Sequence, residues 1–417
     1  MTQLLLNNCS ILDVETGAVT KGAILVEGDT IVAVGADVAA SGAAPDCESV
    51  DMGGAHVMPG LISCHTHLTI VFPFSHSRTN EDPALTAFRA YSRARDALHA
   101  GVTTIRTVGE INRADIALRN SIKAGWVVGP RIYSAGYGVS TTGGHGHSFT
   151  AEADGADDFL RKCRLDLLAG ADHVKIFLTG GIAHQGESLA QAEMIDAEIN
   201  AAVAAARRAG TYVAAHAGGA GAIAHGVSLG VTCFEHAYEI DREASRAVKE
   251  ADGFVVPTLC VTRSPAWMRD HCFEHWTIDK ATSAADIHRD AIRIAFEEGV
   301  TIVNGTDIPP GDLDDGVPVV VRELENMLDV GMTPLQALQT ATINASRLLH
   351  APELGRIRVG AKADLIAMAG NPAQDLTALH DLDMVMIGGR IARGSAAQAS
   401  PDFALRRAAP HCLRYVS

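Results

Sequence analysis

The sequence predicts an α/β fold: a (β/α)8 barrel of the TIM type, with a small β-sandwich domain formed by the N- and C-terminal segments. Three observations predict it. Strand-like runs alternate with Ala-rich helical stretches through the middle of the 417-residue chain, the pattern of repeated βα units on a parallel sheet. Eight such repeats fall within about 290 residues, the size of a closed barrel. Both ends of the chain read instead as short strands broken by turn residues, too small to bury separate cores, so they are expected to pair with each other. The expected division is 1–56 with 355–417 for the small domain and 57–354 for the barrel.

Taken in order, residues 4–6, 23–26 and 30–34 are brief apolar runs separated by Asn7-Asn8, Glu27-Gly28-Asp29 and further glycines. The eight candidate barrel strands are 57–64, 102–108, 131–135, 173–178, 212–216, 232–236, 254–259 and 301–307. Helical stretches with few breakers lie between several of them, for example 195–209 and 284–298. After the barrel come Gly360-Ala361-Lys362-Ala363-Asp364, the apolar runs 365–368 and 384–387, and the turn Gly388-Gly389. An open doubly wound sheet would carry G-x-G-x-x-G after its first strand, and that motif is missing.

Composition narrows the classes. A formal charge of −15 argues against nucleic acid as a partner, because phosphate binders present a basic face. No apolar run approaches the roughly 20 residues that span a bilayer. Met1-Thr2-Gln3-Leu4-Leu5-Leu6 lacks the cationic start and long apolar core of a signal peptide. The eight cysteines are scattered without a C-x-x-C pair or disulfide-like spacing. A cytoplasmic, reduced chain is expected, with a small-molecule substrate, no nucleic-acid or membrane partner, and assembly as a homo-oligomer.

The chemistry concentrates at strand ends. Pro59-Gly60-Leu61-Ile62-Ser63-Cys64-His65-Thr66-His67 closes the first barrel strand. Residues i and i+2 of a strand share a face, so His65 and His67 can grip one metal ion, while Cys64 points away. A lone H-x-H is weak, but the pattern recurs. His216 ends strand five, His236 ends strand six, Asp307 ends strand eight, and Lys175 sits in the apolar run of strand four. The C-terminal ends of barrel strands converge on one mouth, which would bring all six together. A buried lysine needs a reason. Desolvation would lower its pKa and leave a neutral amine, able to add carbon dioxide and become a carbamate; a salt bridge to Asp307 is the other reading. The loop Thr141-Thr142-Gly143-Gly144-His145-Gly146-His147 offers an oxyanion donor, and His145 is preferred because glycine on both sides lets backbone approach. Tyr238 and Arg263 could bind a substrate carboxylate. His271, His275 and His288 lie in a polar stretch and are expected at the surface, and Trp267 and Trp276 could contribute to a lid.

This set resembles the amidohydrolase superfamily: the H-x-H after Pro-Gly-Leu-Ile, the strand-four lysine, two later histidines and a closing aspartate. The resemblance covers almost the whole chain, including the flanking β-structure. It implies that His65, His67 and Asp307 hold one divalent metal ion and His216 and His236 a second, with carboxylated Lys175 bridging them. Zinc suits such ligands, with manganese, cobalt and iron as the alternatives. It also implies attack on an amide carbonyl by a hydroxide bridging the metals, with Asp307 as proton shuttle and His145 assisting. Deaminases and imidazolonepropionases of this superfamily work with one metal and lack the strand-four lysine. Dihydroorotases, hydantoinases and phosphotriesterases carry it but differ elsewhere. The Gly-Gly-His-Gly loop, Lys175-Ile176-Phe177 and Phe234-Glu235-His236-Ala237-Tyr238 are most similar to the prolidase-type branch, which cleaves dipeptides and N-acyl amino acids and includes relatives that split the amide of ochratoxin. The expected enzyme is therefore a dipeptidase- or carboxypeptidase-like hydrolase with His145, Tyr238 and Arg263 as substrate-binding residues. A hydrolase of cyclic amides or lactones is the alternative. A non-catalytic scaffold of this fold would have lost ligands, and all six are filled. A metal-storage protein would show Cys/His-dense tracts, which are absent.

Overall fold

The structure, a computed structural model, describes residues 3–38 and 47–394. Residues 1–2, 39–46 and 395–417, parts of the expected small domain, lie outside the described residues.

The two ends of the chain do meet. Gln3–Leu12 pairs antiparallel with Val19–Glu27, which pairs with Thr30–Gly35. On the other side of Gln3–Leu12 the sheet continues through His56–Pro59 to Leu365–Met368, Met384–Ile387 and Arg390–Gly394. Alternation sets its faces: Leu6, Ile24, Val26, Leu365 and Met386 pack together, while Leu5, Ala23 and Leu25 point the other way into a smaller cluster.

The expected strand 57–64 is two strands. His56–Pro59 belongs to the terminal sheet, and Leu61–Thr66 pairs parallel with Val102–Thr107. The chain changes sheet at Gly60, where a Cβ would lie 2.2 Å from Thr103 Cγ2. Only glycine permits so close a crossing. An uninterrupted apolar run hid this break.

Apart from the short antiparallel pair Leu313–Asp314 and Val317–Pro318, the strands outside the terminal sheet form two parallel sheets. Leu61–Thr66, Val102–Thr107 and Arg131–Tyr133 form one sheet, and Val174–Phe177, Val213–Gly219, Cys233–Glu239, Phe254–Val256 and Thr301–Ile302 run consecutively in another. The second sheet also holds two short strands absent from the expectation, Val139–Ser140 and Ala151–Glu152. Backbone bonds link the two sheets: Asp172 N to Ser134 O (2.7 Å) at one seam, and Cys64 N to Asn304 O (2.8 Å) and Asp307 N to His65 O (2.8 Å) at the other. Helices fill the crossovers. In Asp196–Arg208 the buried Ile199, Ala202, Val203 and Ala206 recur at helical spacing, and burying each larger aliphatic contributes about 1.5–3 kcal/mol. The expected helix 284–298 begins earlier, as His275–Glu297. No helix of the described residues is long and apolar enough to cross a membrane. Cys9, Cys47, Cys64, Cys163, Cys233 and Cys260 are free, whereas Cys272 is disulfide-bonded. That corrects the expectation of a chain without disulfides, and sequence spacing gives no sign of it.

Candidate metal centre and active-site cavity

Because the strands are parallel and consecutive, side chains at their C-terminal ends face one cavity. Its lining includes His65, His67, Lys175, His216, His236 and Asp307, together with His145 and Tyr238. His65 Nε2 and His67 Nε2 lie 3.0 and 3.3 Å from the same Asp307 Oδ1, and these three residues form a group able to hold a metal ion. Asp307 and His236 reach the cavity through left-handed backbone, φ +64° and +69°. Such a conformation costs a non-glycine residue on the order of 1 kcal/mol or more, and it clusters at functional sites.

Each of the four imidazoles has one ring nitrogen tied outside this set. His65 Nδ1 is 2.6 Å from Glu235 Oε2, His67 Nδ1 2.8 Å from Gly109 O, His236 Nδ1 2.7 Å from Thr258 Oγ1, and His216 Nε2 3.2 Å from Gly180 O. Partners of this kind fix the ring orientation and leave the other nitrogen as a ligand. Burial drives the His216 and His236 imidazoles well below their ordinary pKa, which keeps them neutral. Burial alone would raise the Asp307 carboxyl, but the neighbouring His65, His67 and His236 hold it well below the usual carboxylate range.

Lys175 is 1% exposed and its Nζ has no hydrogen-bond partner. The salt bridge to Asp307 is not formed; the ammonium lies instead 4.8 Å from the Phe177 ring centre. Burial pushes its pKa down to about 8, against the opposing pull of Glu235 and Asp307. The orphaned, buried Lys175 Nζ beside four imidazoles and a carboxylate fits a donor set that a carbamate and divalent cations would complete.

The weaker candidates separate. The His145 ring stacks on His216 at 4.2 Å, its Nδ1 is 2.6 Å from Glu187 Oε2, and its backbone N–H donates to Glu193 Oε2 at 2.8 Å. His147 turns away, with Nδ1 3.1 Å from Gly144 O and its ring against His184. Tyr238 stacks on His236 at 5.1 Å, and burial raises its phenol pKa. Arg263 corrects the expectation: it ends the short helix Cys260–Arg263, donates to Asn326 Oδ1 and Asp329 Oδ2, and is absent from the cavity lining. His288 also differs, being fully buried with Nε2 3.0 Å from His236 O. Trp267 is buried in an aromatic cluster with Phe72 and Phe273.

Three residues behind the site, Glu235, Arg106 and Glu110, are not among those the sequence singles out. Glu235 holds His65 on one oxygen and accepts from Arg106 Nη2 at 2.6 Å on the other, and both side chains are fully buried. A lone arginine inside Val102-Thr103-Thr104-Ile105-Arg106-Thr107 was the available signal, since buried charges come paired. Glu110, accepting from the Leu68 and Thr69 amides, braces the turn after His67.

Residues 56–392 match the sequence model of the amidohydrolase family. The ochratoxinase of Aspergillus niger is 28% identical over 371 residues, covering 81% of this chain and 76% of that protein. The imidazolonepropionase of Cutibacterium acnes is 26% identical over 399 residues, covering 88% of each. A solved prolidase complexed with N-methylphosphonate-L-proline superposes with a TM-score of 0.83 at 28% identity, over 94% of this chain and 99% of that one.

Proposed function

The chain belongs to the amidohydrolase family, and from that premise we propose that it is a metal-dependent hydrolase of the amide bond in dipeptides or N-acyl amino acids. One observation carries the reading: Lys175, buried and without a partner, shares a cavity with four histidines whose outer nitrogens are already fixed. In this reading His65, His67 and Asp307 hold one divalent ion, His216 and His236 a second, and Lys175 serves both as a carbamate. Zinc fits these ligands. When bound, the ions supply a Lewis acid for the carbonyl and lower the pKa of water. The parallel strands are read as a closed (β/α)8 barrel, which the seam bonds between Cys64 and Asn304 support, and the terminal sheet as the small β-sandwich domain.

The chain's own residues then divide the work. Asp307, ionised, accepts the proton of the attacking water and passes it to the leaving nitrogen. His145, with Nδ1 fixed by Glu187, offers Nε2 to the oxygen on which charge develops. Tyr238 offers its hydroxyl to a carboxylate on the leaving side. Phe74, Phe149, Phe177, Ile182 and Val261 line the rest of the cavity; they exclude water and suit an apolar side chain. The similarity to a prolidase holding an L-proline derivative supports a free α-carboxylate in the substrate. The test compares kcat/KM for a dipeptide and its C-terminal amide, scored by amine release. The dipeptide should be better by about 10–100-fold, the worth of a charged hydrogen bond. Equal values would favour cyclic amides, the reading suggested by the imidazolonepropionase relative.

A further inference from the structure

The chemistry above leaves Lys280 unused. It lies partly buried on His275–Glu297, and its Nζ donates to three carbonyls of one loop: Gly181 O at 2.6 Å, Glu187 O at 2.8 Å and His184 O at 3.1 Å. An ammonium has three N–H donors, so all three are used. The loop, residues 180–187, has no helix or strand of its own. Three carbonyl dipoles aimed at one point repel each other unless a cation sits between them. The same loop touches the site twice. Glu187 Oε2 orients His145 at 2.6 Å while also accepting from Gly181 N at 2.9 Å, and Gly180 O lies 3.2 Å from His216 Nε2. Ile182 contributes to the cavity wall. Eight residues along the helix from Lys280, His288 reaches His236 O, so one helix braces the site at two points.

We propose that Lys280 is a positioning residue for the hydrolysis: it holds the 180–187 loop in the arrangement in which Glu187 orients His145 and Gly180 orients His216. The kinetic part of its test rests on the amide-hydrolase reading; the structural part does not.

The test uses the full chain with Lys280→Met, Glu187→Gln and the double variant. Amide hydrogen exchange needs no substrate. Exchange within 180–187 should rise at least about tenfold in Lys280→Met, as expected for a loop released from local protection, while Asp196–Arg208 keeps its wild-type rate. On a dipeptide substrate, kcat/KM should fall about 10–100-fold in Lys280→Met, the effect of a roughly 1 Å misplacement. The double variant should be no worse than the poorer single one, because both act through one loop. Lys280→Arg, which keeps charge and donors, should recover part of the loss. Should Lys280→Met not fold, Lys280→Gln carries the same comparisons. Unchanged exchange in the loop, kcat/KM within about twofold of wild type, or losses that multiply in the double variant each overturn the proposal. A wild-type enzyme that turns over no dipeptide or N-acyl amino acid refutes the substrate reading, and hydrogen exchange then decides the role of Lys280.

Discussion

Removing one member of the Arg106–Glu235 pair tests whether the site stands on a buried ion pair. Both side chains are 0% exposed and their charged atoms are 2.6 Å apart. At an effective dielectric of about 20, that separation corresponds to roughly 6 kcal/mol of attraction. Desolvation costs several kcal/mol for each ion, so the intact pair is close to neutral for stability. Breaking it is different. Arg106→Met leaves the Glu235 carboxylate with His65 and the weak Cys233 thiol donor but no paired cation, and Glu235→Gln turns an amide N–H₂ toward either Arg106 or His65, both donors. Each single variant should lose about 3–5 kcal/mol, the cost of an orphaned buried charge. The double variant should lose less than the sum by about 1–3 kcal/mol. Urea unfolding midpoints of metal-stripped protein, compared at constant slope, give the numbers. Single losses below about 1 kcal/mol, or strict additivity in the double variant, would refute the reasoning.

Three further outcomes follow from the same geometry. Lys175→Ala should lose most activity and most bound metal, and added short carboxylic acids should restore part of both; near wild-type turnover would remove the carbamate from the account. Asp307→Asn, nearly isosteric, should fold normally yet lower kcat by at least about 10²-fold, and its pH–rate profile should change; an unaltered profile would take Asp307 out of proton transfer. Glu323 accepts from the Leu259 and Cys260 amides, and burial raises its pKa from 4.5 to about 7. Between those values the folded state binds more protons than the unfolded one, so this group's contribution is full below pH 4.5 and fades as pH rises toward 7. Glu323→Gln should flatten that slope in urea midpoints measured from pH 5 to 7.5, whereas an unchanged slope would mean Glu323 stays ionised.

What the sequence made legible is what strand periodicity carries. His65 and His67 could be placed on one face because i and i+2 share a side, and His216, His236 and Asp307 because parallel strands end at one level. Where the backbone leaves that periodicity, alternation no longer tells which face a residue takes. Glu235 and His236 are adjacent, and alternation would send them to opposite faces, yet both approach His65 because His236 turns to φ +69°. Gly60 lies inside a continuous apolar run, so the crossing between sheets left no mark in hydropathy. A helical turn at Cys260–Arg263 carries Arg263 to Asn326 and Asp329, away from the cavity where a substrate carboxylate would lie. His288 is buried despite its polar neighbours in sequence, because on the long helix those neighbours occupy other faces. The hold of Lys280 on a loop nearly one hundred residues earlier in the chain is tertiary, and nothing local announces it.

The most direct test of the central claim is elemental analysis of the purified protein alongside amide hydrolysis before and after chelation. Up to two divalent transition-metal ions per chain are expected, with zinc prominent, and hydrolysis should be lost on chelation and return when metal is restored. Protein free of transition metal that hydrolyses the same amide at an unchanged rate would contradict it.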